Sequence, residues 1–323
     1  MTPVDRRTLL GAALTAPLLP HPANAGAPAH APFPEPAFSV KLWPGEAPGL
    51  TNPSLRDEVL ERSKDPAIRD RAMVKVRTPR LDVFPAANPN GAALLITPGG
   101  AYHRVVIDKE GYELAAWLAA RGVTAFVCFY RLPDQGWADP RNVALADAQR
   151  AMRLIRHRAA DWKIDPKRVA ALGYSAGGHL CGDLATRHAV KTYTPVDAAD
   201  SLDARPLVAA PLYPAIAMDP FLAKGVATSG VYASSGTDWQ MLDAQVTADT
   251  PPCFLCHAED DATLPVDFTL RMRAALRAAG VPTDMHLFEE GGHGFGLRLA
   301  AGKPVAAWPE LFMAWAARHG WLG

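Results

Sequence analysis

Short apolar runs alternate with segments of helical spacing through most of the chain after about Phe38. The runs that resemble buried strands cover 92–97, 123–130, 169–172, 207–212, 254–257 and 285–288. Segments with apolar residues on one helical face cover 110–121, 143–160, 265–279 and 308–319. Because such alternation is typical of βα repeats, the pattern predicts an α/β fold with a mostly parallel sheet and helices on both faces.

One motif stands at the junction of a predicted strand and a predicted helix. The pentapeptide 173–177, Gly-Tyr-Ser-Ala-Gly, directly follows the apolar run 169–172. A serine on such a sharp turn presents its hydroxyl above the sheet, and small flanking residues fit because the turn has no space for larger side chains. The pattern also occurs by chance, so a nucleophile elbow at Ser175 requires a base, an acid and an oxyanion hole as well.

His293 is the candidate base. It lies in a glycine-rich loop just after the last predicted strand, in the order that serine hydrolases of this fold require. A base must take the proton of a neutral serine hydroxyl as it attacks. His179 follows Ser175 by one helical turn, and we expect it to have a structural, hydrogen-bonded role instead.

The imidazole of the base needs a carboxylate on its other nitrogen. Asp261 is the preferred candidate because it follows the strand that ends at His257. Glu259 and Asp260 lie in the same turn and compete with it on the residues alone.

The oxyanion hole needs backbone N–H donors near the nucleophile. Ala176 would supply one at a helix N-terminus. Gly100 and Ala101, in a turn after the early strand 92–97, would supply the others. Tyr102, His103 and Glu110 lie near this turn and are predicted to contact or position the substrate. Trp137, together with Trp43 and Trp239, is predicted to form a platform on which a sugar stacks. For any one of these tryptophans, buried packing is the alternative.

Composition narrows the class of partner. The chain has 323 residues, of which 49% are hydrophobic, and 33 basic side chains balance 33 acidic ones. Such a balance favours a small, mostly neutral ligand over nucleic acid or an anionic membrane. We expect one catalytic domain, residues 38–323. The segment 215–250 lacks clear periodicity and is either a lid or irregular surface structure.

The N-terminus has the pattern of an export signal. Residues 5–10 read Asp-Arg-Arg-Thr-Leu-Leu, an apolar stretch follows to Leu19, and residues 23–25 are Ala-Asn-Ala. Small residues at that distance are typical of a cleavage site, and paired arginines resemble a twin-arginine signal. An ordinary secretory signal with a basic start is the alternative, and it leads to the same compartment. We therefore predict a signal over 1–25, a Pro- and Ala-rich linker over 26–37, and a periplasmic or secreted enzyme with no membrane anchor after signal removal.

The four cysteines do not predict a disulfide framework. Cys253 and Cys256 stand three residues apart in a predicted strand, where their side chains would be too distant to bond. Cys128 and Cys181 fall in a predicted strand and helix. Buried free thiols are the expected state of all four.

Nearly all of the chain after Phe38 resembles the acetyl-xylan-esterase-like branch of the α/β-hydrolase superfamily. The matching segments are 42–45 (Leu-Trp-Pro-Gly), 97–102 (Thr-Pro-Gly-Gly-Ala-Tyr), 110–111 (Glu-Gly), 130–133 (Tyr-Arg-Leu-Pro), 173–180 (Gly-Tyr-Ser-Ala-Gly-Gly-His-Leu), 260–261 before 264–266 (Asp-Asp, then Leu-Pro-Val) and 292–295 (Gly-His-Gly-Phe). This resemblance implies Ser175 as nucleophile, Asp261 as acid and His293 as base, and the spacing to Leu264 and Pro265 selects Asp261 over Asp260. It also implies a small-molecule or oligosaccharide ester as substrate, with no metal or organic cofactor.

Two departures from the family pattern bear on substrate. Where the family usually carries a third glycine in the oxyanion loop, this chain has Ala101, whose methyl group would narrow the acyl pocket toward acetate. The segment 215–250 matches little. We therefore expect a serine esterase that removes short acyl groups, above all acetyl, from a carbohydrate. A general short-chain carboxylesterase, a serine peptidase and a catalytically silent binding protein are the alternatives.

Overall fold

The computed structural model of the protein describes residues 33–216 and 241–322. The predicted signal, 1–25, and most of the predicted linker lie outside the described residues, as does 217–240 within the proposed lid. From Pro34 onward the described residues belong to one compact unit. The predicted boundaries of the domains stay predictions.

The strands of this unit are β1 (Phe38–Lys41), β2 (Glu58–Glu61), β3 (Arg71–Lys75), β4 (Arg80–Phe84), β5 (Ala93–Thr97), β6 (Val105–Val106), β7 (Thr124–Phe129), β8 (Val169–Tyr174), β9 (Ala209–Leu212), β10 (Cys253–Ala258) and β11 (Thr283–Phe288). The α-helices are α1 (Glu113–Ala119), α2 (Val143–His157), α3 (Ala176–Arg187), α4 (Asp267–Ala278) and α5 (Trp308–Arg318).

An eight-stranded sheet runs in the order β1-β4-β7-β5-β8-β9-β10-β11. From β7 to β11 every neighbouring pair is parallel, whereas β1 and β4 add antiparallel strands at one edge. The strands β5, β7 and β8 are buried along their whole length, as continuous apolar runs in a doubly covered sheet should be. The predicted α/β-hydrolase fold class is thus confirmed, and the carboxyl ends of β5, β8, β10 and β11 meet at one edge.

Several local elements differ from the sequence prediction. The predicted helix 110–121 is a π-helical turn over Asp108–Tyr112 followed by the shorter α1, and Gly122, with φ +85°, follows its end. The buried carboxylates of Asp108 and Glu110 in that turn are drawn inward by backbone N–H donors from other segments. Strands β1, β4 and the small sheet β2-β3-β6 were not predicted.

The four cysteines are buried and free, as the sequence predicted. Burial raises the pKa of the Cys181 thiol to about 12, so this group stays a neutral packing residue near neutral pH.

Within residues 33–216 and 241–322, no helix has the length and apolar character to cross a bilayer.

Candidate active site

Ser175 occupies the turn between β8 and α3. Its backbone has φ +53° and ψ −119°, a conformation that is strained for any residue with a side chain. A Cβ at Gly173 would lie 2.0 Å from the Gly177 carbonyl oxygen, and a Cβ at Gly177 would lie 2.0 Å from that of Thr97. Both glycines are therefore required for the strand, the turn and the helix to approach this closely.

Ser175, His293 and Asp261 form one hydrogen-bonded chain. The Ser175 Oγ lies 2.9 Å from His293 Nε2, and His293 Nδ1 lies 2.7 Å from Asp261 Oδ2. Asp261 comes from the turn after β10, and its Oδ1 accepts from the backbone N–H groups of Thr263 at 2.8 Å and Leu264 at 2.9 Å. These bonds fix the carboxylate so that its other oxygen faces the imidazole.

The Asp261 side chain is fully buried between two histidines. Burial acts to raise the pKa of this carboxyl group, but hydrogen bonds from His257 and His293 outweigh it and hold the pKa well below the usual range. Asp261 is therefore ionised at neutral pH, the state that fixes the imidazole tautomer and stabilises an imidazolium.

Asp260, the rival carboxylate, has a different set of contacts. Its Oδ1 accepts from the backbone N–H groups of Gly291 at 2.9 Å and Gly292 at 2.7 Å. Asp260 thereby anchors the loop that carries His293, while Glu259 is exposed. The structure brings Asp261, and not its two neighbours, to the imidazole.

The predicted oxyanion donors lie on two segments next to the nucleophile. Ala176 is the first residue of α3, so its N–H has no acceptor within the helix. Gly100 and Ala101 have φ +133° and +56°, and the Gly100 carbonyl accepts from the N–H groups of His103 and Arg104 at 3.1 and 3.2 Å. This closed turn fixes the shape of the loop, which lies directly beside the elbow. The approach is so close that a Cβ at the preceding Gly99 would lie 3.0 Å from the Ser175 Cβ.

A buried glutamate supports the same loop. Glu110 Oε2 accepts from the Gly99 N–H at 2.9 Å, and its Oε1 accepts from the Tyr213 hydroxyl at 3.3 Å. The Tyr213 ring packs edge-on against the His293 ring, with centroids 5.1 Å apart. Glu110 thus links the oxyanion loop to the residue that packs beside the candidate base.

The residues predicted to contact substrate have varied surroundings. Tyr102 is buried and its hydroxyl lies 2.8 Å from His179 Nδ1. Burial lowers the pKa of His179, which suits the neutral structural role expected of it. His103 is half-buried in the oxyanion turn. Trp137 is 5% exposed, with the Arg131 guanidinium 4.9 Å from its ring, so this ring packs within the fold.

Of the other two tryptophans of the suggested platform, the structure describes Trp43 alone. Trp43 is buried and its Nε1 donates to Asp147 at 2.8 Å. Trp239 lies outside the described residues. The described residues therefore give no open tryptophan platform, and the sugar-stacking role of Trp137 stays a prediction.

Sequence reasoning missed two residues beside the triad, His257 and Tyr213. Both stand at the carboxyl end of a sheet strand, His257 in β10 and Tyr213 immediately after β9. That position was the available signal, because side chains at this edge converge on the nucleophile elbow.

Comparison with known proteins decides the family. A family model described as the alpha/beta hydrolase fold matches residues 116–297, more than half of the chain. This chain belongs to the α/β-hydrolase family. The match includes Ser175, Asp261 and His293, and it confirms the family predicted from the sequence.

The names of two curated relatives of this α/β-hydrolase refer to xylan. The acetylxylan esterase of Xylanibacter ruminicola is 30% identical over 221 residues, which cover 66% of this chain and 43% of that protein. Endo-1,4-beta-xylanase B of Butyrivibrio fibrisolvens is 32% identical over 228 residues, 69% of this chain and 34% of that protein. The chain thus spans less than half of the length of either relative.

Among solved structures, the hydrolase is similar to the acetyl ester-xyloside bifunctional hydrolase from Caldicellulosiruptor lactoaceticus. The two share 26% identity with a TM-score of 0.63, over 91% of this chain and 100% of that one.

Proposed function

We propose that this α/β-hydrolase is a serine carboxylic ester hydrolase that removes short acyl groups, above all acetyl, from carbohydrates such as acetylated xylan oligosaccharides. The observation that carries the proposal is the chain of contacts at 2.9 and 2.7 Å from Ser175 through His293 to Asp261. The names of the similar acetylxylan esterase and acetyl ester-xyloside hydrolase support the choice of substrate class.

In the proposed acylation step, the Ser175 hydroxyl attacks the ester carbonyl carbon while His293 Nε2 takes its proton. Asp261, ionised because its pKa is lowered, stabilises the imidazolium that forms. The negative charge on the carbonyl oxygen is received by the N–H groups of Ala176, Gly100 and Ala101. One such donor contributes about 3 to 4 kcal/mol to the transition state in comparable sites.

Attack of Ser175 on the ester gives a tetrahedral intermediate. When this intermediate collapses, the sugar alcohol leaves with a proton from His293 Nε2, and the acyl group stays on Ser175. Water then attacks the acyl-enzyme with His293 again acting as base, and the acid is released with Ser175 restored. A bound ester and water therefore react in sequence at one centre, in a ping-pong scheme.

Ala101 bears on the acyl side of the substrate. Its backbone is left-handed and its side chain is exposed in the oxyanion turn. We propose that the methyl group limits the space for the acyl chain. Tyr102, His103 and Trp137 remain the residues that we propose to contact substrate. Of the two in the oxyanion turn, Tyr102 is buried and His103 is half-buried.

We further propose that the mature enzyme works in the periplasm or outside the cell. The support is the basic, apolar and small-residue order of residues 1–25 and the Pro- and Ala-rich 26–37. Expression of the full chain in a bacterial host, followed by N-terminal sequencing of periplasmic protein, should give a start after Ala25. Retention of uncleaved protein in the cytoplasm would contradict export.

Acetate release from acetylated xylo-oligosaccharides tests the proposed function. Wild type, Ser175→Ala and, as a matched control, Ser201→Ala are compared, since Ser201 is an exposed serine that bonds only to a local carbonyl. We expect release by the wild type and by Ser201→Ala, and none above background by Ser175→Ala. Equal release by Ser175→Ala would refute the nucleophile. Serine-dependent cleavage of simple acetate esters without release from the sugar would favour the general carboxylesterase instead.

A further inference from the structure

A second histidine contacts the proposed catalytic acid. His257, at the end of β10, is fully buried. Its Nε2 lies 3.2 Å from Asp261 Oδ2 and 3.2 Å from the Leu264 carbonyl oxygen, and its Nδ1 lies 2.7 Å from the Thr269 hydroxyl. Both ring nitrogens therefore have partners, and the proposed acyl-transfer steps use neither of them.

The partners of His257 define its tautomer. The Asp261 carboxylate and the Leu264 carbonyl can only accept, so the nitrogen that faces them must carry a proton. The Thr269 hydroxyl can donate, which allows Nδ1 to be the bare acceptor. A neutral imidazole with its proton on Nε2 satisfies every contact, and it avoids placing a positive charge in a fully buried site.

The N–H of His257 is shared between two acceptors, and one of them matters for catalysis. Asp261 Oδ2 is the same oxygen that lies 2.7 Å from His293 Nδ1. Its partner oxygen, Oδ1, is held by the backbone of Thr263 and Leu264. Among the described residues, His257 is thus the side chain that hydrogen-bonds Oδ2 in addition to His293.

We propose that His257 is a positioning residue: its Nε2–H holds Asp261 Oδ2 toward His293 and moderates the negative charge that this oxygen presents to the His293 imidazole. This role rests on the proposed function. Removal of the donor has two consequences. The carboxylate loses one of its constraints, which lowers kcat. The carboxylate also presents more of its charge to His293, which favours the imidazolium and raises the pH at which the base becomes active.

The other groups around His293 make no hydrogen bond to His257. The Tyr213 ring packs edge-on against both histidines, with centroids 5.1 Å from His293 and 6.4 Å from His257, and Ser175 faces His293 Nε2. Across the loop, a Cβ at Gly294 would lie 2.9 Å from Lys109 Nζ and 3.3 Å from Glu110 Oε1. Asp260 binds the loop backbone before His293. His257→Leu and His257→Gln both lose the ring contact with Tyr213, but only His257→Gln keeps an N–H donor. A shift in the pH profile that appears in His257→Leu and not in His257→Gln therefore reports the lost donor.

The test compares His257→Leu, which removes the donor, with His257→Gln, whose amide N–H can replace it. For His257→Leu we expect kcat on an aryl acetate to fall about 10- to 100-fold, the range for a bond to a charged group, with KM nearly unchanged. The acidic limb of the kcat/KM profile should move to higher pH. His257→Gln should recover most of kcat and the wild-type profile.

A measurement on the wild type needs no substitution and guards against misfolded variants. The 15N chemical shifts of His257 distinguish a proton on Nε2 from one on Nδ1, and we expect Nε2–H at neutral pH. A proton on Nδ1 would overturn the proposal. A wild-type kcat and pH profile in His257→Leu would also overturn it. The same holds if His257→Leu loses kcat without a shift in the pH profile and His257→Gln recovers nothing, because that pattern indicates general damage to the fold.

Ser175→Ala separates this proposal from the proposed function. If Ser175→Ala keeps wild-type activity, the proposed function fails and the positioning role fails with it. If Ser175→Ala is inactive and His257→Leu behaves as the wild type, only the positioning role is refuted.

Discussion

Glu110 should affect both stability and turnover, although it does not touch the reacting atoms. Glu110→Ala removes the acceptor of the buried Gly99 N–H and that of the fully buried Tyr213 hydroxyl. A buried donor without a partner costs about 1 to 3 kcal/mol. The 3.3 Å bond of Tyr213 is long, so its share lies near the lower limit. We therefore expect the free energy of unfolding to fall by about 2 to 4 kcal/mol in total.

The same substitution frees the loop that carries Gly100. Since each oxyanion donor contributes about 3 to 4 kcal/mol, a partial loss of alignment should lower kcat about 10-fold or more with little change in KM. Glu110→Gln keeps a carbonyl oxygen for the Gly99 N–H and should recover much of both properties.

Urea unfolding and steady-state hydrolysis of an aryl acetate measure the two effects. Glu113→Ala is the matched control, because this neighbouring carboxylate lies 3.2 Å from the partly exposed Arg298 rather than at the loop. It should change stability by about 1 kcal/mol or less and leave kcat unchanged. The reasoning is refuted if Glu110→Ala unfolds at the wild-type urea concentration with wild-type kcat.

Three further substitutions probe the triad, the acyl side and the elbow. Asp261→Asn should lower kcat about 10⁴-fold. The pKa of Asp261 in the folded state lies below its unfolded value of about 3.9, so the stability that the carboxylate contributes is present above about pH 4 and is lost as the pH falls toward the folded value. The free energies of unfolding of wild type and Asp261→Asn, measured in urea, should therefore converge in acid. A constant difference between them would count against an ionised, paired carboxylate. Ala101→Gly should raise the rate on aryl octanoate relative to aryl acetate, where the wild type should fall steeply beyond butyrate; an unchanged ratio would mean that the methyl group does not limit the acyl chain. Gly177→Ala places a Cβ 2.0 Å from the Thr97 carbonyl oxygen and should cost about 3 kcal/mol or more, whereas Gly45→Ala, with nothing within 4 Å, should be nearly silent by thermal unfolding.

The central parallel strands could be predicted because burial on both faces leaves them as continuous apolar runs. This signal is clear in β5, β7 and β8. It is absent in β1 and β2, which are short and carry polar, partly exposed residues at the edge of their sheets. These edge strands form through pairing with β4 and β3, a long-range interaction that local pattern does not reveal.

For the candidate site, the order of the motifs along the chain predicted that Ser175, Asp261 and His293 lie together. In the structure these three side chains are joined by hydrogen bonds. The residues alone left Asp260 open as a rival of Asp261, since adjacent residues of one turn differ mainly in the direction of their side chains. The family resemblance chose Asp261 by its spacing to Leu264 and Pro265. Tyr213 and His257 escaped notice because their roles come from packing across strands that are far apart in sequence.

The central claim is that Ser175 carries the acyl group during turnover. The most direct test is reaction of the wild type with a fluorophosphonate, or with an aryl acetate quenched in acid, followed by peptide mass spectrometry. The account predicts one covalent adduct, on the peptide that contains Ser175, with parallel loss of acetate release and no adduct in Ser175→Ala. Inactivation with the label on another residue, or full labelling of Ser175 without loss of activity, would contradict it.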